Sequence, residues 1–401
     1  MRVLVADNIP VRIREALVDG GFQVDFQPGL GPEELVDAIG DANVLIVRST
    51  KVTASAIEKA EKLNLIIRAG AGTNTIDCAA AASKGIYVSN TPGKNAVAVA
   101  ELTMGLIISL DRRIPDNVHQ LREGRWNKKE FSKARGLLGK TIGIIGLGQI
   151  GQEVALRARA FGMSVLAWSR SLTDARAEEL GVSRAATVGE LCANADVITV
   201  HLPLVDGTKH LVGKDEFEVM RANTLFVNAA RGGVVDDSAM AEAVESGRIR
   251  AASDVFENEP KASDKSIDNV LTDCDGFYGT HHIGASTEQA QDAVADEVLR
   301  LVARFRQDGT VLNVVNVSKV PTPTGQLHVR HLDRVGVLAH VLDVLRRSEL
   351  NVADMQNLVF DDAGAAVAKI SLSSVPEQSV LDAIKNDSPH VLGLLWIDAS
   401  A

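Results

Sequence analysis

The sequence predicts an α/β protein in which two doubly wound, parallel-sheet domains are followed by a small βαββαβ unit. Three observations lead there. Short apolar runs alternate with helix-length segments over residues 3–88 and again over 141–255, the pattern of βα repeats that feed a parallel sheet. A glycine-rich turn, Gly146-Leu147-Gly148-Gln149-Ile150-Gly151, joins one of these runs to a helical pattern. After Val320-Pro321-Thr322-Pro323-Thr324-Gly325, a linker by composition, the order of elements changes.

In the first hundred residues, runs at 3–6, 44–47, 65–67 and 86–88 read as strands, and 11–18 and 54–60 as helices. Residues 95–110 are rich in Ala, Val, Leu and Ile over a length too great for a strand, so a buried helix is expected to lead into the second domain. The polar, basic run 121–131 reads as a solvated connection. Strands are expected again at 141–145, 164–167, 196–202, 225–228 and 251–255. Ser286-Thr287-Glu288-Gln289 has capping-box spacing ahead of an amphipathic run to Phe305, a long helix that returns the chain toward the first domain. Beyond the linker, a strand at 326–333, a helix at 335–350, a hairpin of 351–360 and 365–374 turning at 361–364, a helix at 377–385 and a strand at 391–398 give the split ferredoxin-like order.

Composition limits the function classes. The 401 residues are 46% hydrophobic and 23% charged, enough apolar material for several compact domains. A net charge of -10 without a long basic run makes nucleic acid and anionic membrane poor partners. Met1-Arg2-Val3-Leu4-Val5-Ala6-Asp7 reaches an acid too soon for the apolar core of a signal peptide, and no run is long enough for a membrane span, so a cytoplasmic protein is expected. Cys78, Cys192 and Cys274 lie far apart, which points to ordinary thiols and to no metal site.

The G-x-G-x-x-G turn predicts a Rossmann-like dinucleotide site. Gly146 permits the tight turn, Gly148 lets backbone approach a pyrophosphate, and Gly151 allows close helix–strand packing. Gln149 and Ile150 open the helix whose N-terminus faces the phosphates. The next strand ends in Trp168-Ser169-Arg170, without the acid that accepts hydrogen bonds from a ribose 2′-hydroxyl. Ser169 can donate to a 2′-phosphate and Arg170 can pair with one, which favours NADP; NAD stays open if Arg170 stacks on adenine.

Three polar clusters follow later strands of the second domain: Asn228-Ala229-Ala230-Arg231-Gly232-Gly233, Asp254-Val255-Phe256-Glu257-Asn258-Glu259-Pro260 and Thr280-His281-His282-Ile283-Gly284. Hydride transfer at a 2-hydroxy acid needs a cation for the carboxylate, a group that takes the hydroxyl proton, and a partner that holds that group's charge. Arg231, His282 and Glu259 supply these in turn. Singly, each is an ordinary surface or loop residue. Their joint occurrence downstream of a dinucleotide loop is what points to this chemistry.

These segments, with Arg68-Ala69-Gly70-Ala71-Gly72-Thr73-Asn74 and His282-Ile283-Gly284-Ala285-Ser286-Thr287, resemble the D-isomer-specific 2-hydroxyacid dehydrogenases, and within them the phosphoglycerate-oxidising branch with a C-terminal ACT domain. The resemblance implies Arg231, Glu259 and His282, rather than His281, as the catalytic triad. It implies cofactor contacts from Gly146, Gly148, Gln149, Ile150, Gly151, Ser169, Arg170, His201, Pro203, Ala229, Asp254 and Gly284, with Asp254 at the nicotinamide carboxamide. Substrate contacts would come from Arg48, Ser49, Ala71, Gly72, Asn95, Arg231 and His282, with Arg48 toward the substrate phosphate.

It further implies a discontinuous substrate domain of residues 1–95 and 285–316 around a nucleotide domain of 96–284, then a linker at 317–325 and an ACT domain at 326–401. A homodimer or homotetramer would follow, with 121–131 at the contact and Lys128 or Lys129 reaching the neighbour's phosphate pocket. The implied reaction is NAD(P)-dependent oxidation of 3-phospho-D-glycerate to 3-phosphohydroxypyruvate, the first step of serine synthesis. A glyoxylate or hydroxypyruvate reductase and a non-catalytic dinucleotide sensor are the alternatives. Two positions depart from the family pattern. Ser169 stands where NAD-using members carry Asp. In the stretch that resembles a serine effector site, His331, Asp333 and Asn351, an Asp occupies the place of an expected Asn.

Overall fold

The computed structural model describes residues 1–260, 266–317, 324–361 and 364–399. The chain divides into two compact units, Met1–Asn316 and Val317–Ala401.

The first unit opens with a five-stranded parallel sheet: β1 Arg2–Val5, β2 Gln23–Phe26, β3 Val44–Val47, β4 Leu65–Arg68 and β5 Tyr87–Asn90, in the order β2-β1-β3-β4-β5. β3 is buried along its whole length because helices cover both faces, which is why it reads as an unbroken apolar run. β2 escaped the sequence reading. It is an edge strand with no fully buried residue, so no apolar run marks it. On one face, Ile13 and Leu17 of the helix Val11–Asp19 pack beside Ala295, Val298, Leu301 and Val302 of the helix Glu288–Asp308. The long helix therefore returns to the first sheet, as its amphipathic spacing requires. Its cap is one residue later than expected: the Thr287 side chain accepts from Ala290 N, and Ser286 lies outside. Residues 312–316 then run back along β5, with Ser89 Oγ donating to Leu312 O at 2.6 Å and Val315 N donating to Val88 O at 2.9 Å.

The second sheet has seven parallel strands, β6 Thr141–Ile145, β7 Ser164–Trp168, β8 Ser183–Arg184, β9 Val197–Val200, β10 Thr224–Asn228, β11 Ile249–Ser253 and β12 Phe277–Gly279. Their order is β12-β11-β10-β9-β6-β7-β8, which reverses direction between β6 and β9. Open sheets of this kind leave a crevice at that switch point, beyond the carboxyl ends of the strands. β8 and β12 were not anticipated, since two or three edge residues carry no periodicity. The helix Ala96–Arg112 packs one apolar side, including Ala100, Met104, Ile107 and Leu110, on this sheet. Residues 114–131 are more regular than a plain connection: they form helices Ile114–Arg122 and Lys128–Phe131. Neither helix buries a residue, and Trp126 between them is 81% exposed.

One carboxylate on the long helix gathers the connection that leaves the first sheet and the segment that returns to it. Glu297, 4% exposed on the long helix, meets Lys94 Nζ at 3.3 Å just ahead of the helix Ala96–Arg112. Asn313 Nδ2 also donates to it at 2.7 Å, as does Arg300 Nη2 at 2.6 Å. The Arg300 bond, against burial and with Asn313 and Lys94 adding, pulls the Glu297 carboxyl down to about 2 from 4.5. Because the folded value is depressed, this contribution is complete above 4.5 and is lost as pH falls toward about 2. Glu297→Gln is expected to cost about 2–4 kcal/mol at neutral pH. Melting curves of the variant and the parent should converge across that acid interval, and parallel curves down to the lowest pH would count against it.

The second unit is a four-stranded antiparallel sheet, β13 Gly325–Leu332, β14 Val352–Val359, β15 Ala365–Leu372 and β16 Val391–Asp398, in the order β14-β15-β13-β16. The helices Val337–Arg347 and Gln378–Asn386 share its core through Val341, Val344, Leu345, Val380 and Ile384. Gly325 belongs to the strand rather than to the linker: a Cβ there would lie 2.3 Å from Trp396 Cζ2. Linker residues 318–323 and turn residues 362 and 363 are outside the described residues. Among the described residues no helix is long and apolar enough to cross a membrane.

Candidate active site

The glycine loop follows β6 at the switch point. Gly146 has φ +101°, and a Cβ there would sit 2.5 Å from His201 O, so side chains are excluded twice over. A Cβ at Gly151 would lie 2.2 Å from Gly146 O, which is the close helix–strand packing the motif needs. Gly148 caps the helix Gln149–Ala160 with no side-chain hydrogen bond, and a Cβ on it would meet nothing within 4 Å. Unpaired helix N–H groups thus open onto free space, a fit for the pyrophosphate of a dinucleotide. The Gln149 side chain lies against Gly93, in the connection from the first sheet.

Ser169, half-buried, and Arg170, exposed, come directly after β7, whose Trp168 O accepts from Gly146 N at 2.8 Å; both therefore stand beside the glycine loop. His201 follows β9 on the other side. Its Nε2 is 3.0 Å from Thr199 Oγ1, and burial pushes the imidazole down to about 3, so it is neutral. Pro203 is exposed just beyond.

His282 sits in a short loop after β12. Its Nδ1 faces Glu259 Oε2 at 2.8 Å, which leaves Nε2 for a ligand. Glu259 Oε1 also accepts from Phe256 N at 3.1 Å. Burial raises the Glu259 carboxyl, but the bond to His282 and its charge, the Phe256 amide and the charge of Arg231 outweigh it and hold the group below its ordinary value. His282 has φ +52°, a left-handed conformation that a non-glycine residue keeps only when its surroundings impose it. Asp254 imposes it. One oxygen accepts from Thr280 Oγ1 at 2.6 Å and Ile283 N at 2.8 Å, and the other from Gly284 N at 2.8 Å. Asp254, read from sequence as a cofactor contact, is thus also the brace of the His282 loop.

Arg231 follows β10. Its Nη1 donates to Ala230 O at 2.6 Å, and Nη2 would be 3.3 Å from a Cβ on Gly72. The next residue must be glycine, since a Cβ on Gly232 would fall 1.8 Å from Phe256 O.

The first sheet supplies the opposite wall. At its own switch point, between β1 and β3, Asp7 Oδ2 accepts from the backbone N–H of Arg48, Ser49 and Thr50 at 2.6, 3.0 and 3.0 Å. That fixes the loop from which Arg48 projects. Arg48, Ser49, Ala71, Asn95, Ile150, Ala229, Arg231, Asp254, His282 and Gly284 all line one cavity of about 330 Å³. Gly72 lies beside it against Arg231, and Glu259 reaches it through His282. Gly146, Gly148, Gln149, Gly151, Ser169, Arg170, His201 and Pro203 gather instead around the glycine loop.

Sequence reasoning passed over Asp7, Arg68 and Thr91. Arg68, the last residue of β4, lines the cavity, and burial together with the charges of Arg231 and Arg48 pulls it below the ordinary guanidinium value. Its place at a strand's carboxyl end, ahead of Ala69-Gly70, was the available signal.

In the second unit, His331 is 1% exposed, with Nε2 3.0 Å from Asn357 Oδ1. Asp333 lies just past the end of β13. Strand register puts Asn351 elsewhere: Val352 pairs with Leu372, which also pairs with Gly325, whereas Leu332 pairs with Ala365. Asn351 is therefore at the opposite end of the sheet from His331 and Asp333, and one copy of this unit does not bring the three together.

Residues 104–284 match the model of the D-isomer specific 2-hydroxyacid dehydrogenase, NAD binding domain. The D-3-phosphoglycerate dehydrogenase of Methanocaldococcus jannaschii is 44% identical over 323 residues, 80% of this chain and 60% of that protein. The chain thus spans about 60% of the length of that relative. The hydroxypyruvate reductase of Thermotoga maritima is 43% identical over 277 residues, 68% of this chain and 88% of that protein. Among solved structures, an NADPH-dependent glyoxylate/hydroxypyruvate reductase from Sinorhizobium meliloti, in complex with NADP and malonate, superposes with a TM-score of 0.68 at 27% identity, covering 78% of this chain and 96% of that one. With the dinucleotide loop, the Arg231–Glu259–His282 grouping and relatives of this identity and coverage, the chain belongs to the D-isomer specific 2-hydroxyacid dehydrogenase family.

Proposed function

We propose that the protein oxidises 3-phospho-D-glycerate to 3-phosphohydroxypyruvate with NAD(P), and that Arg231, Glu259 and His282 carry the chemistry. The observation that supports this best is the meeting of three guanidinium groups, Arg48, Arg68 and Arg231, with His282 in one cavity. None of the three has a carboxylate within ion-pair distance among the described residues. A substrate anionic at both ends suits such a cavity. Arg231 binds the carboxylate and polarises the oxygen on the reacting carbon. His282 Nε2 takes the hydroxyl proton during oxidation and returns it during reduction, while Nδ1–H donates to Glu259. The dinucleotide, when bound, supplies the hydride acceptor. Gly146, Gly148, Gln149, Ile150, Gly151, Ser169, Arg170, His201, Pro203, Ala229, Asp254 and Gly284 would hold it, and Ser49, Ala71, Gly72 and Asn95 would complete the substrate contacts. The test compares kcat/KM for 3-phosphohydroxypyruvate and hydroxypyruvate. A preference of at least tenfold for the phosphorylated acid is expected, and none would sink the reading.

Ser169 and Arg170 favour a second reading, an NADP-linked reductase of hydroxypyruvate or glyoxylate, and the relative from Thermotoga maritima is a hydroxypyruvate reductase by name. In either case we expect NADPH to be the better cofactor. Arg170→Ala should cut kcat/KM for NADPH by about tenfold or more, the worth of one charge-assisted bond to a 2′-phosphate, and leave NADH within about twofold. A wild-type preference for NADH would refute it.

Residues 1–95 with 285–316 would form the substrate domain and 96–284 the nucleotide domain, closing on the ligands to exclude water. The second unit would be an ACT domain that takes L-serine near His331 and Asp333, with Asn351 supplied by another copy. Exposed Leu121, Trp126 and Leu138 would be covered in a dimer.

A further inference from the structure

The connection from the first sheet into the nucleotide-binding half contains a buried hydroxyl with no structural employment. Thr91 follows β5, and its backbone is fixed: Thr91 N donates to Gly70 O at 3.1 Å, and neighbouring Asn90 Nδ2 donates to Ala71 O at 2.5 Å. The side chain is 1% exposed, yet Oγ1 has no hydrogen-bond partner among the described residues. Burying a hydroxyl without a partner is unfavourable, so such groups normally find one. Thr75 Oγ1, His201 Nδ1 and Asp237 Oδ1 are similarly unpaired, but none of them lines the cavity, whereas Thr91 does.

Its position indicates the partner. Arg48, Arg68 and Thr91 stand at the carboxyl ends of β3, β4 and β5, three consecutive strands of one sheet. Arg68 pairs in register with Val47 and Asn90, so Arg48 and Thr91 each lie one residue beyond the strand ends that flank it, and all three line the cavity. Arg231 and His282 line the same cavity from the second sheet, where the reacting carbon must be held. The three residues from the first sheet are left to the remote end of the ligand. Arg68 Nε is also buried and unpaired there.

We propose that Thr91 is a substrate-contacting, specificity-determining residue whose Oγ1–H donates a hydrogen bond to an oxygen of the ligand's distal phosphoryl group. The inference rests on the reading of the substrate as a phosphorylated 2-hydroxy acid. Val has the shape of Thr without the hydroxyl, so Thr91→Val removes this bond and no other. For 3-phosphohydroxypyruvate the variant is expected to lose about tenfold or more in kcat/KM, mainly through KM, as for a bond to a charged acceptor. Hydroxypyruvate should stay within about twofold. Tm without ligand should be unchanged or higher, because no structural bond is lost, and the rise in Tm caused by 3-phosphoglycerate should shrink. Thr91→Ser, which keeps the hydroxyl, should restore most of the lost kcat/KM. Equal losses for both acids, a fall in unliganded Tm with no substrate discrimination, or no loss for either would overturn the assignment. Wild-type protein that shows no preference for the phosphorylated acid would overturn both this inference and the phosphoglycerate reading, whereas an intact wild-type preference with a non-selective variant overturns this inference alone.

Discussion

His282→Asn is expected to lower kcat by about 10²–10⁴-fold, the usual worth of a positioned general acid–base group. Asparagine suits the test because it tolerates the left-handed backbone that His282 adopts at φ +52°, so the loop braced by Asp254 should survive. It can hydrogen-bond but cannot carry the proton. Binding of the dinucleotide, followed by fluorescence titration, should change by less than about twofold, since the dinucleotide's phosphates belong to the helix N-terminus at Gly148, to which His282 contributes no group. Glu259 is ionised throughout the neutral range, its carboxyl held below the usual value, so Glu259→Gln removes a charge from the imidazole and not merely an acceptor. A double variant should be little worse than His282→Asn alone, because the two act as one unit. Full additivity, or a kcat within a few-fold of wild type for His282→Asn, would refute the assignment.

Arg231→Ala should lower kcat/KM by about 10²–10⁴-fold, corresponding to two charge-assisted bonds of roughly 1.5–3 kcal/mol each. The loss should appear in both KM and kcat, since the guanidinium binds the carboxylate and polarises the reacting oxygen as charge develops. Arg231→Lys should recover little, because a point charge does not reproduce a planar fork. Guanidinium added to Arg231→Ala should restore part of the rate. A loss below about fivefold would move the carboxylate to another cation, Arg68 being the nearest candidate by charge interaction.

Much of this molecule is written locally. The buried strands β1, β3, β6 and β10 announce themselves as apolar runs because both faces of a parallel sheet are covered. The glycine loop is legible because each glycine answers a steric demand within a few residues or at the adjacent strand end. Elements at sheet edges, β2, β8 and β12, leave no such mark, and the cap of the long helix was misplaced by one residue because Ser286 and Thr287 are chemically equivalent candidates.

Sequence by itself determined the buried strands, the glycine loop and the nomination of Arg231, Glu259 and His282. Tertiary structure decided what surrounds them. Asp7 reaches the 48–50 loop across more than forty residues, and Asp254 fixes the backbone that follows His282 across about thirty. Strand order made neighbours of Arg48, Arg68 and Thr91, and antiparallel register moved Asn351 away from Asp333. The reason is that periodicity and turn chemistry act over a few residues, whereas a hydrogen bond or a wall of a cavity depends on which strands lie side by side, and that is fixed only when the sheets close on their cores.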